Sequence, residues 1–143
     1  MKRFFCLLVL FLATLSCEKD SNNNNNNPYL PNYSFDVTLN MSFPQYSSLA
    51  FPSNAVYVNV AGAGIRGVIV FNAGSGNYLA YDAACPNQAL SDCSTMTING
   101  INAKCACDDA SYSLFTGLAA EKQYAMKTYR VQVIDETTIK VYN

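Results

Sequence analysis

The sequence predicts a small all-β domain, an antiparallel sandwich or partly open barrel, on three observations. Short apolar stretches alternate with polar residues at a period of two. Turns rich in Gly and Asn punctuate them. Beyond the first 17 residues, no stretch carries a helical period. Ten Tyr, eight Phe and no Trp, together with many Val and Ile, suit half-buried strands.

The strands follow in order. Phe35, Val37 and Leu39 alternate with polar residues, and Val56, Val58 and Val60 repeat the pattern until Gly62-Ala63-Gly64 breaks it. Val68-Ile69-Val70-Phe71 is a continuous apolar run, as expected of a strand buried on both faces. Gly74-Ser75-Gly76-Asn77 reads as a hairpin turn into Tyr78–Ala83. Thr95–Ile98 and Ile101–Lys104 flank Asn99-Gly100, a strong two-residue hairpin signal. Tyr112–Phe115 is closed by Thr116-Gly117. Tyr129–Val133 alternates, turns at Asp135-Glu136 and returns as Thr138–Tyr142.

The N-terminus reads as an export signal. Met1, Lys2 and Arg3 are followed by an apolar stretch from Phe4 to Leu15, shorter than the roughly 20 residues of a membrane-spanning helix. Thr14-Leu15-Ser16-Cys17 is similar to a bacterial lipobox, with Thr14 where Leu is usual. The expectation is a signal over 1–17 ending at a lipidated Cys17, a tether over 18–33 and a folded domain over 34–143. Six consecutive Asn, Asn22–Asn27, make the tether too polar to fold alone, and Pro28 and Pro31 stiffen its exit. The lipid anchor places the protein in the cell envelope. An outer-membrane position is expected, at its periplasmic face or the cell surface, with the membrane and an envelope complex as partners. Glu18 and Asp20 could act as a sorting signal.

Charge and composition exclude several functions. Without Lys2 and Arg3, the nine basic residues fall to seven against ten acidic ones, a net charge of −3. With no basic patch, no nucleic-acid partner is expected. The chain has no histidine, which rules out Ser-His-Asp and Cys-His catalysis and removes the commonest metal ligand. Asp108 and Asp109 are adjacent on a loop and diverge, and Asp92 is a solvated loop acid, so no glycosidase pair forms. The glycines of Gly62–Gly67 precede no helix that could bind phosphate. No catalytic residue is assigned.

Cys85, Cys93, Cys105 and Cys107 lie in two loops framing the Asn99-Gly100 hairpin. In an oxidising compartment an even count suggests disulfides. Four cysteines allow three pairings. A Cys105–Cys107 bond closes a very tight ring, so the favoured pairings join the two loops. Four-thiolate zinc fits less well, because Cys105-Ala106-Cys107 is shorter than a usual chelating pair and Cys85…Cys93 longer.

Those loops also carry a family resemblance. Val68–Phe71, Tyr78-Leu79-Ala80-Tyr81-Asp82 and Cys85-Pro86-Asn87-Gln88 are similar to the approach and first cluster loop of a Rieske domain. Cys105-Ala106-Cys107-Asp108 and Tyr112-Ser113-Leu114-Phe115-Thr116-Gly117 resemble its second loop and following strand, and Tyr124–Val131 its returning strand. The resemblance spans about Asn54–Asn143. It implies a [2Fe–2S] site at Cys85, Asn87, Cys105 and Asp108, but the two histidines that such a cluster uses are Asn87 and Asp108 here. It also implies a bracing disulfide between Cys93 and Cys107. If no cluster forms, Cys85 and Cys105 pair as well. The function expected is therefore a cell-envelope lipoprotein with a Rieske-like domain, a non-catalytic binding or structural module with disulfide-stapled loops and no cofactor. The alternative is an electron-transfer protein with a [2Fe–2S] cluster on non-histidine ligands, in which Cys85 and Cys105 hold metal.

Overall fold

The computed structural model describes residues 27–143; Cys6, Cys17 and most of the asparagine run lie outside them. The strands are β1 (Asp36–Asn40), β2 (Ala55–Val58), β3 (Val68–Gly74), β4 (Asn77–Asp82), β5 (Thr97–Asn99), β6 (Asn102–Lys104), β7 (Ser111–Ser113), β8 (Thr128–Val133) and β9 (Thr138–Tyr142). Six form a curled antiparallel sheet in the order β1-β9-β8-β4-β3-β2, and three form a small sheet, β5-β6-β7. The expected class, an all-β partly open barrel with a cysteine-bearing subregion, is the one observed. The only helical turn among the described residues is a short 3-10 segment over Ser47–Ala50. It is held by Leu49, which is fully buried.

The apolar run of β3 explains the layering. Val68 and Val70 join a core inside the curled sheet with Leu39, Leu49, Val58, Ile139 and Val141. Ile69 and Phe71 face the other way, into a second core with Tyr81, Met96, Ala103, Tyr112, Leu114 and Met126. Side chains alternate across a strand, so a strand between two cores needs apolar residues at every position. All four residues have no exposed surface.

The turn of the small sheet lies one residue later than expected, which shifts the pairing of its strands by two. Asn99 pairs with Asn102 and Ile98 with Ala103, so the two turn residues are Gly100 and Ile101 rather than Asn99 and Gly100. Gly100 has φ +60°, the backbone required at the first turn position of a type II′ hairpin. Both turns keep Ala103 on the face of Ile98; the observed one sets it opposite Ile98 rather than Met96 and buries it completely, opposite Tyr112 on the other side. Val60 also falls outside its expected strand and is exposed.

Asp82 anchors the glycine-rich loop before β3. Its buried carboxylate accepts hydrogen bonds from the Ile65 backbone N–H at 2.5 Å, the Arg66 N–H at 3.3 Å, the Ala84 N–H at 2.7 Å and the Tyr129 hydroxyl at 2.5 Å. Two loop glycines are sterically required. A Cβ at Gly64 (φ +68°) would meet Asp82 Oδ2 at 2.9 Å, and one at Gly67 (φ +87°) would meet the Tyr57 ring at 2.6 Å. Gly64 serves packing against a buried carboxylate and Gly67 packing against the Tyr57 ring.

Packed chain also extends back of residue 34. Leu30 is buried, the Asn27 amide donates to the Pro86 carbonyl at 2.7 Å, and Asn143 donates to the Tyr33 carbonyl at 2.7 Å. The buried Lys127 ammonium donates to Asn32 Oδ1.

Candidate functional site

The four cysteines come together where the small sheet meets the large one. The first loop leaves β4 and is pinned at its base by the Ala84–Thr95 bridge and by the Cys85 N–H donating to the Ser94 carbonyl at 2.8 Å. The second joins β6 to β7. Its ends are closed by the Cys105 N–H donating to the Ala110 carbonyl at 2.9 Å, and Asp109 turns the chain with φ +57°. Backbone geometry thus holds both loops in register, and the sulfurs follow.

Cys85 is bonded to Cys105 and Cys93 to Cys107, with Cα separations of 5.7 and 5.1 Å, ordinary for disulfides. Both bonds run between the loops. They differ in surroundings. Cys85 and Cys105 are buried at 1% and 0% exposure as members of the second core. Cys93 is exposed and Cys107 half-buried. The sulfurs of Cys85, Cys105 and Cys107 lie within 4.8 Å of one another, so the two disulfides are neighbours.

Asn87 and Asp108 do not turn toward these sulfurs as ligands. The Asn87 amide nitrogen donates to the Tyr112 hydroxyl at 2.9 Å and to the Tyr124 carbonyl at 2.7 Å, and its oxygen accepts the Tyr124 N–H at 2.9 Å. Asp108 spends one oxygen on Lys122 at 2.6 Å and the other on the Ala110 N–H at 3.1 Å. The Lys122 ammonium holds the Asp108 carboxyl below its usual range, against a smaller opposing effect of burial. Burial raises the Tyr112 hydroxyl, and the Asn87 hydrogen bond partly offsets that. A Rieske cluster needs two cysteines and two histidines. This chain supplies two sulfurs bonded to each other, an amide and a carboxylate already engaged, and no histidine. The donor set does not fit that cluster.

Sequence reasoning did not single out three groups at the site. The Ser91 hydroxyl lies 3.3 Å from Cys93 Sγ and 3.6 Å from Cys107 Sγ, touching both sulfurs of the outer bond. Gln88 Nε2 lies 3.7 Å from Cys105 Sγ. Arg66 donates to the Ser91 carbonyl at 3.0 Å and so ties the glycine loop to the first cysteine loop. A serine or glutamine near a cysteine in sequence gives no signal of such contacts, which depend on how the loop folds back.

No protein-family model matches the chain, and no curated protein matches it. Solved structures do. A chain from the complex of reduced oxygenase and oxidized ferredoxin in carbazole 1,9a-dioxygenase is 18% identical, with a TM-score of 0.48 over 76% of this chain and 92% of that one. A ferredoxin of Sphingomonas yanoikuyae B1 is also 18% identical, at 0.48 over 76% and 99%. A chain described as an NADH-dependent nitrite reductase small subunit from Mycobacterium tuberculosis is 18% identical, at 0.48 over 78% and 97%. The functional reading rests on this chain's own residues.

Proposed function

We propose that the protein is a cell-envelope lipoprotein whose Rieske-like domain is a binding or structural module, with two disulfides where that family carries its cluster. The observation that carries this reading is the inner bond. Cys85 and Cys105, the two cysteines that the resemblance gives to iron, are joined to each other inside the second core. A bond there holds the same two loops together without metal, and it needs no histidine. The anchor rests on the sequence pattern ending at Cys17; a lipidated cysteine would hold the domain at a membrane, and the polar run after it would act as a spacer.

Two measurements test this. Membrane fractionation of the intact protein and of Cys17→Ser is expected to show release of the variant from the membrane; equal partition of both overturns the anchor. Iron analysis with an optical spectrum of the anaerobically purified protein is expected to find a colourless protein. About two irons per chain with visible absorption would overturn the module reading and favour electron transfer.

A further inference from the structure

We propose that the two disulfides form an exchange pair, in which the outer bond reacts with a small external dithiol and the inner bond rearranges to Cys85–Cys107. The inference rests on the reading that both pairs are oxidised. It stands on three observations. The outer bond is accessible at Cys93, whereas the inner one is buried. Cys107 Sγ lies within 4.8 Å of both sulfurs of the inner bond. Hydrogen-bond donors lie beside the sulfurs that would carry charge, Ser91 at Cys107 and Gln88 at Cys105.

The steps follow from thiolate attack on a disulfide sulfur. One thiolate of the dithiol attacks the exposed Cys93 Sγ. A mixed disulfide forms there, the Cys93–Cys107 bond breaks, and its electron pair leaves on Cys107, where the Ser91 hydroxyl can donate to it. The acidic neighbours of Cys107 are each paired with a lysine, Asp108 with Lys122 at 2.6 Å and Asp109 with Lys104 at 2.8 Å, which limits their repulsion of the new thiolate.

The Cys107 thiolate then attacks Cys85 Sγ. The Cys85–Cys107 bond forms, the Cys85–Cys105 bond breaks, and the electron pair leaves on Cys105 beside the Gln88 amide, to be protonated from solvent. Attack on Cys105 instead would close the tight Cys105-Ala106-Cys107 ring. Finally the second thiol of the dithiol attacks its own sulfur in the mixed disulfide and releases Cys93, which takes up a proton. The dithiol has lost two electrons and two protons and become a disulfide. The protein has gained thiols at Cys93 and Cys105. One bond joins the loops throughout, from Cys85 to Cys105 before exchange and to Cys107 after it.

The test treats the oxidised protein with one equivalent of dithiothreitol, quenches with acid, alkylates, and maps labels and cross-links by mass spectrometry. Labels at Cys93 and Cys105 with a Cys85–Cys107 cross-link are expected. Labels at Cys93 and Cys107 with Cys85–Cys105 intact overturn the proposal, as do resistance of both bonds and direct passage to four thiols. Cys93→Ala gives a second measurement without reductant. Its freed Cys107 is expected to share the label with Cys105, and a label confined to Cys107 overturns the exchange. In either experiment a failed exchange leaves the module reading standing, whereas an iron-loaded protein removes both.

Discussion

Asn87 and Tyr124 bond each other in both directions. The Asn87 amide donates to the Tyr124 carbonyl at 2.7 Å, and its oxygen accepts the Tyr124 N–H at 2.9 Å. This is the pattern of two strand residues facing each other, made here by one side chain. The side chain joins the first cysteine loop to the segment before β8 and, through Tyr112, to the small sheet. The position that the resemblance gives to a metal ligand therefore serves as a clamp between three segments.

Replacing that clamp should be costly. Asn87→Ala removes the partners of a backbone N–H, a carbonyl and the Tyr112 hydroxyl. Unsatisfied groups of this kind cost about 1–3 kcal/mol, so a loss in that range is expected in urea unfolding. Asp108→Asn is the contrast. Its ion pair with Lys122 lies at the rim, where such pairs contribute about 0–1 kcal/mol. Equal losses for the two variants would contradict the clamp.

The two disulfides should contribute unequally. Each closes a loop of similar length, with sequence separations of 20 and 14, and chain entropy assigns each about 3 kcal/mol. Removing the inner pair, Cys85→Ala with Cys105→Ala, also empties space in the second core and should cost about 1–2 kcal/mol more than removing the outer pair. Denaturant midpoints of the two double variants compare them directly, and a costlier outer pair would place the stabilisation elsewhere. Iron content is expected to be the same in both.

Gly67 and Gly62 separate steric from conformational need. Both have positive φ, +87° and +85°, but only Gly67 has the Tyr57 ring against the added carbon, while Gly62 faces open space. Gly62→Ala is expected to cost about 1 kcal/mol from backbone strain. Gly67→Ala should cost about 1–3 kcal/mol beyond that as the Tyr57 ring is displaced. Thermal unfolding of both would check the order.

These cases also show where the sequence is readable. The two-faced apolar run of β3 reads as a strand between two cores, because successive side chains of a strand point to opposite faces and Val68, Ile69, Val70 and Phe71 are hidden together only with a core on each side. Alternation likewise gave β1, β8 and β9 nearly to the residue. The register of the small sheet was hidden, since Asn99-Gly100 is a good turn by itself and a turn at Gly100-Ile101 leaves the same residues on the same face, with Ile98 rather than Met96 opposite Ala103. At the site, the cysteines were plain in sequence, and residue chemistry narrowed their pairing to bonds between loops. The choice between those bonds came from the family resemblance alone. The engagement of Asn87 with Tyr124 was invisible, because it joins residues 37 positions apart with no pattern connecting them.

Tyr129 should make the fold sensitive to alkali. Its hydroxyl is pushed well above the usual tyrosine range by burial first, and then by the charge and hydrogen bond of Asp82. Burial raises Tyr81 and Tyr112 as well. In the unfolded chain these hydroxyls lose their protons near pH 10, while the folded protein keeps them. Above that pH the native state binds more protons than the unfolded one, so their contribution is fully present below pH 10 and is lost as pH rises beyond it. Lys127 acts oppositely. Burial lowers its value from 10.5, so stability rises with pH until the unfolded lysine has also lost its proton. The window above about pH 11 therefore reports the tyrosines. Tyr129→Phe should lower stability at pH 8 by about 1–3 kcal/mol through the lost bond to a charged partner. It should also flatten the fall between pH 11 and 12 by about 1.4 kcal/mol per pH unit, the effect of one proton. Urea unfolding of both proteins across that range measures the slopes, and an unchanged slope would mean that Tyr129 titrates normally in the folded protein.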